Sequence, residues 1–408
     1  MNFRNFLFVL IVTSCSGIFI SCKGEVKQSP AKLTNTDTTK TDTTKKEVEV
    51  DPGTSLNDLA RFFAGLEPKS DKKLMALSKD SVWIKHSLLM NKGFGNIEKN
   101  RFSVIRKWRD VELKEANSQN IKNMFYPLSG PDFLNAFILF PNHINYMMVA
   151  LEPSGKVKDV TKLKNDDIKK YLGNISGSLI DIFNRSYFIT KRMSGDFSKW
   201  KIEGNLPTMM VFLARTDNTI KDIKRVAIDS TGKLLEFDLN AVVPKMYISK
   251  GVRINFVHAN DTFERHLYYF STNLGDMEFD NMKGLDTNKG FVTFVKNYGP
   301  FNSFCKAASY LFHYGTFSIA RNLVLDNSKH HVQDDSGIGY KFFDKTKWSF
   351  KYYGKYSRPI EEFRKIYEKD LEQAMKIDSA NVKPLPFKYG YHWGKGTVSM
   401  MYAKKIVK

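Results

Sequence analysis

The stretch "DIKRVAIDSTGKLLEFDL", Asp222 to Leu239, reads as two strands folded about a tight turn at Ser230–Lys233. Shortly after it, "GVRINFVHANDTFERHLYYFSTNL", Gly251 to Leu274, reads as a second strand pair joined at Ala259–Thr262. Two further apolar runs have strand length, "INYMMVALEP" (Ile144–Pro153) and "PTMMVFLAR" (Pro207–Arg215). Helical spacing precedes and follows these segments. "SLNDLARFFAGL" opens with Ser55 as an N-cap and has Asp58 three positions on. "DSVWIKHSLLMNKG" and "NIEKNRFSVIRKWRDVEL" continue the pattern, so a helical subdomain is expected over 53–118. Later helices are expected around Asp166–Tyr187, Lys289–Tyr298, Asn302–Tyr314 and Ser318–Asp326. The last, "RPIEEFRKIYEKDLEQAMK", sets Ile360, Phe363, Tyr367, Leu371 and Ala374 on one face. Strand pairs with grouped helices define the α+β class: an N-terminal helical part, then a largely antiparallel sheet with packed helices.

Ahead of this body, "MNFRNFLFVLIVTSCSGIFISCKGE" has a basic start at Arg4, a short apolar run from Phe6 to Val12, then small residues. That is the layout of a secretory signal over residues 1–21, too short and interrupted for a spanning helix. "FISC", Phe19 to Cys22, resembles a bacterial lipobox, with Phe19 where leucine is usual. "VTSC", ending at Cys15, fits by residue type, but Cys22 sits where apolar sequence gives way to polar. The resemblance implies a bacterial lipoprotein with a diacylglyceryl group on Cys22. It further implies membrane attachment at the cell envelope, with Lys23 in the next position favouring an outer-membrane address. The alternative is an unlipidated signal peptide with an incidental cysteine.

Residues 22–52 hold the lipidated cysteine and a Thr-, Lys- and Asp-rich tether, including the tandem "TDTTKTDTTK". Such a segment buries too little apolar surface to offset its ordering entropy and is expected to be a disordered stalk. Its two "DTT" triplets are similar to an O-glycosylation acceptor of exported bacterial proteins, which would place glycans on Thr38 and Thr43.

The chain carries +20, of which residues 53–408 hold +19, because Arg4 is the signal's one charge and residues 23–52 balance. In an exported protein this basic excess points to anionic envelope glycans or lipid headgroups rather than nucleic acid. It also describes an ordinary solvated surface. Beyond Cys15 and Cys22 there is one cysteine, Cys305, so no internal disulfide is expected and stability rests on the core. The 32 phenylalanines supply one.

The body's blocks "YPLSGPDFLNAFILFP", "VALEP", "YYFSTNL", "QDDSGI" and "PLPF" resemble uncharacterised exported bacterial proteins. The resemblance implies no known activity and lends no catalytic residues.

Four places could carry chemistry. "SKHHVQDDSGIGY" (Ser328–Tyr340) concentrates His330, His331, Asp334 and Asp335. Adjacent residues point apart, so one histidine and one aspartate could share a pocket. A zinc site would need a further ligand such as His313 or His392, and no metal-binding spacing is present. The same aspartates would serve as turn caps. Cys305, at the start of an expected helix "FNSFCKAASYLF", could be a nucleophile with His330 and Asp334, as in papain-like and transglutaminase-like hydrolases, or a small core residue. Asp132 in "SGPDF" caps a helix and stands near Asn142 and His143 as a ligand-site candidate. "KWSFKYYGKY" sets Trp348, Phe350 and Tyr352 on one strand face, a glycan platform if exposed and a core strand if buried. With no P-loop, dinucleotide fingerprint, GxSxG or CxxC, no cofactor is expected. The reading is a lipid-anchored envelope protein with a binding or structural role. The alternative is a hydrolase of an envelope polymer or peptide built on His330, His331, Asp334 and Asp335.

Overall fold

A computed structural model describes residues 55–118, 120–185, 204–279, 289–308, 310–392 and 398–406. The signal segment, Cys15, Cys22, Thr38, Thr43 and the tether lie outside the described residues. The described residues all fall in one compact unit.

The helical opening follows its sequence signals. α1 (Leu56–Phe63) is capped by Ser55, whose side chain accepts from the Asp58 amide. After α2 (Lys72–Leu77) and α3 (Ser81–Ile97), a single π turn at Glu98–Phe102 leads into α4 (Ser103–Glu112). Then β1 (Asn123–Pro127), α5 (Phe133–Leu139) and β2 (Asn145–Ala150) form a strand–helix–strand unit. α6 (Asn165–Ser178), α7 (Ile180–Arg185) and α8 (Leu206–Arg215) precede the hairpin β3 (Asn218–Ile228) and β4 (Leu234–Phe237). A second hairpin follows, β5 (Lys250–His258) and β6 (Arg265–Ser271), then α9 (Lys289–Tyr298) and β7 (Phe301–Cys305). α10 (Ser318–Asn327), β8 (Ser328–Gln333), β9 (Trp348–Gly354), α11 (Lys369–Ile377) and β10 (Ser399–Lys405) complete the described elements.

All ten strands join one sheet in the order β4-β3-β5-β6-β2-β1-β7-β8-β10-β9. The α+β class holds, and both flanks are antiparallel as the hairpins require. The centre differs: β6, β2, β1, β7 and β8 run parallel. Helices cover both faces. One core sets α1, α3, α4, α5, α6 and α8 against alternate sheet residues such as Tyr126, Tyr146 and Phe304. The other packs α9, α10 and α11 on Phe125, Met147 and Cys305. The N-terminal helices thus form part of a sheet-covering layer.

Three local expectations change. Pro207–Arg215 is the helix α8, buried on every side. An apolar run of that length fits either element, and Pro207 in the first turn with helix-forming Met, Leu and Ala decides it. Phe301–Cys305, expected to begin a helix, is the parallel strand β7. A strand buried on both faces has no polar alternation to reveal it. The expected long helix after Pro359 breaks: a 3₁₀ segment at Glu361–Ile366 ends before Glu368, and α11 starts at Lys369.

Candidate functional site

The chain goes from β1 through α5 to β2 in one direction along the sheet, and from β7 through α10 to β8 in the other. The two helices belong to opposite cores. β1 and β7, adjacent at the sheet centre, therefore form a topological switch point, and outside the carboxyl ends of such strands open α/β sheets bind their ligands. The segments leaving β1 and β7 carry three of the four non-glycine residues with positive φ among the described residues, Leu128 (56°), Ala307 (51°) and Tyr310 (59°). Such conformations are costly and cluster where structure is held for function.

The side chains at these strand ends are ionisable and buried. Asp132 follows β1 and caps α5, its Oδ1 accepting from the Asn135 amide at 3.3 Å. Its Oδ2 lies 2.6 Å from Lys306 Nζ, directly after β7, and accepts from the Tyr126 hydroxyl at 3.2 Å. Both charged side chains are 2% exposed. Burial lowers the Lys306 pKa, and Asp132 opposes the shift. Lys306 Nζ stands 5.1 Å from the centre of the Tyr389 ring.

Asp334 and Asp335 emerge from β8. Asp334 accepts from the Ser336 amide (3.0 Å), the Ser336 hydroxyl and the Ala307 amide (3.2 Å). Burial, then the neighbouring Asp335, raise its pKa. Gly390, at φ +60°, lets the chain pass so close that a Cβ there would stand 1.9 Å from Asp334 Oδ2. Asp335 Oδ2 accepts from the Tyr310 hydroxyl at 2.6 Å and lies 3.0 Å from His392 Nε2. His313 bonds the Asp335 backbone, leaving Nε2 3.8 Å from Glu368 Oε1. Neither of those two atoms has a hydrogen-bond partner. Burial pushes Glu368 up to about 8 and His313 down to about 4, so both are neutral near pH 7.

A groove of about 920 Å³ runs beside this cluster. Arg101, Lys355 and Lys388 line it together with Pro384, Pro386 and Phe387, and among the described residues no carboxylate is in its wall. Arg101 donates to the Ile182 (2.9 Å) and Phe183 (3.2 Å) carbonyls at the end of α7. Burial lowers its pKa to about 10, against the pull of Tyr389 and Asp132. Phe387 packs edge-on against Tyr389 at 5.8 Å, so one ring separates the groove wall from Lys306. The buried Tyr389 hydroxyl has no hydrogen-bond partner.

Of the expected site residues, Asp132, Asp334 and Asp335 meet at the strand ends, and His313 and His392 both reach Asp335. His330 and His331 do not join them. They point to opposite sheet faces: His330 Nδ1 pairs with the Tyr402 hydroxyl, and His331 lies between Ser303 and Gln333, each at 2.7 Å. Burial lowers both to about 4. Cys305 is no helix-start nucleophile. It lies within β7, fully buried, and burial raises its thiol well above the ordinary range. Trp348 and Tyr352 are 4% and 5% exposed, core residues of β9 rather than a platform. Among the described residues no group of three or more His, Cys, Asp or Glu could hold a metal ion, and no helix is long and apolar enough to cross a membrane.

Sequence reasoning passed over Lys306, Arg101, Tyr389 and Glu368. Reading β7 as a helix hid Lys306, because a lysine just past a buried parallel strand is conspicuous only once the strand is recognised. Set against known protein families, curated proteins and solved structures, the chain matches none of them. Its class is therefore defined by the sheet and the strand-end cluster alone.

Proposed function

We propose that the chain is a lipid-anchored cell-envelope protein, attached through Cys22 on an outer-membrane stalk, whose body binds an anionic envelope glycan without transforming it. The observation that carries the binding role is the groove, whose wall among the described residues holds Arg101, Lys355 and Lys388 but no acid, lying against a buried cluster with orphaned polar atoms. Cations with apolar and aromatic surface suit an acidic sugar, whose charges pair and whose C–H faces pack on rings. The lipobox resemblance and the basic body support the envelope placement.

Titration calorimetry with an acidic and a matching neutral oligosaccharide tests the binding role. The acidic one should bind, with affinity falling as salt rises and at least tenfold in Lys355→Glu/Lys388→Glu. Equal affinity for the neutral sugar, or an unaffected double variant, would refute it. Alkynyl fatty-acid labelling tests the anchor: label on wild type and none on Cys22→Ala.

A second reading, hydrolysis of an envelope polymer or peptide, is favoured by the contact of Asp335 with His392 and Tyr310 beside Asp334. His330 and His331 take no part in that arrangement. Product release from envelope polymer by wild type, lost in Asp335→Asn, would favour catalysis; none from wild type would leave binding.

A further inference from the structure

The loop between β4 and β5 is apolar where it is most exposed. Val242 is 91%, Met246 78% and Ile248 44% exposed, with Leu151 (59%) close by in sequence to the same cavity's wall. Single exposed apolar side chains are common on soluble proteins, but several on one loop mark a contact surface. Behind the loop lies a cavity of about 490 Å³. Among the described residues Lys156, Arg225 and Lys250 line it and no Asp or Glu does, and Lys245 sits on the loop itself. Of the acids nearby, Glu152 has its pKa raised by burial, and Asp238 is paired with Lys224 at 2.8 Å. The loop is also held in place. Arg225 bonds the Leu239 carbonyl (2.9 Å) and the Ser154 hydroxyl (3.1 Å), and Tyr247 packs on Phe237.

We propose that this loop is a membrane-contact surface for bilayers rich in anionic phospholipid. Val242, Met246 and Ile248 enter the boundary between headgroups and acyl chains, while Lys156, Lys245 and Lys250 bind headgroup phosphates. The apolar tip supplies burial and the lysines supply selectivity, each contributing roughly fivefold in vesicle affinity. A lipid on Cys22 would tether the chain without orienting its body; this loop would orient it. The inference is independent of the glycan groove.

The test uses the full chain carrying Ala241→Cys labelled with an environment-sensitive dye, with the parent chain labelled in parallel as background. It is mixed with vesicles of phosphatidylcholine alone or with added phosphatidylglycerol. A blue shift is expected with phosphatidylglycerol only, weakening with salt. At least a tenfold loss of vesicle affinity is expected in Lys156→Glu/Lys245→Glu, and no shift in Val242→Asp/Met246→Asp. A dye that stays in water on protein that floats with the vesicles overturns the loop while leaving the anchor intact. Equal shifts on both vesicle types overturn the headgroup selectivity. Neither shift nor flotation overturns both the loop and the anchor.

Discussion

The antiparallel flank β3–β5 and the parallel centre β1–β7–β8 treat charge in opposite ways. On the flank, charged side chains pair across strands near solvent: Lys224 with Asp238, Arg253 with Glu236 and Asp222. In the centre the strands are buried on both faces, and charge is held at their carboxyl ends, as in the Lys306–Asp132 pair. Exposed pairs contribute little because water screens them. Buried pairs are costly to desolvate, so a fold gains nothing obvious in stability by keeping one, and a functional reason is the natural hypothesis. The difference supports placing the proposed site at the centre.

Breaking the pairs should expose the contrast most strongly. Lys306→Met leaves Asp132 charged and buried, and should cost about 3–5 kcal/mol in denaturant unfolding. Lys224→Met should leave the midpoint unchanged. Similar effects at both sites would erase the distinction. Gly390→Ala comes next, since its methyl would collide with the Asp334 carboxylate in a backbone conformation that disfavours alanine. A loss on the order of 2 kcal/mol is expected by unfolding, against none for Gly315→Ala, where a Cβ meets nothing.

The pH dependence is gentler and has two opposite components. His313, His330 and His331 are held near 4 when folded against 6.5 unfolded. The unfolded chain therefore binds more protons between these values, and stability is lost as pH falls from about 6.5 toward 4. His331→Gln should flatten that slope. Glu368 behaves conversely: raised to about 8, it holds its proton in the fold from pH 4.5 to 8, and stability declines as pH rises through that window. Glu368→Gln should remove this smaller alkaline decline. Unfolding curves collected across pH measure both, and a profile unmoved by either substitution would contradict the burial of these groups.

The same contrast explains what could be read from sequence. The flank was legible because "DIKRVAIDSTGKLLEFDL" alternates and turns at Gly232, and "GVRINFVHANDTFERHLYYFSTNL" breaks at a polar turn. The centre was not. Phe301–Cys305 lies buried on both faces, so nothing in its pattern separated strand from helix. Misreading it made Cys305 look like a nucleophile and concealed Lys306. Asp334 and Asp335 stand out in sequence as part of the His/Asp cluster, Asp132 as the cap of an apolar helix, and His313 and His392 as the further ligand a zinc site would need. Glu368 was hidden because Ile360–Ala374 spacing suits an unbroken helix, whereas Glu368 is buried and holds the Tyr340 amide. Arg101 and Tyr389 come from distant segments that only the packed fold brings together.

The most direct test of the central claim, that the strand-end groove is the binding site, is hydrogen–deuterium exchange on the full chain with and without an acidic oligosaccharide. Slowed exchange is expected in peptides covering Asn96–Phe102 and Pro384–His392, with little change in β3 and β4. Protection confined to the flank, or none at an oligosaccharide concentration that saturates binding, would contradict it.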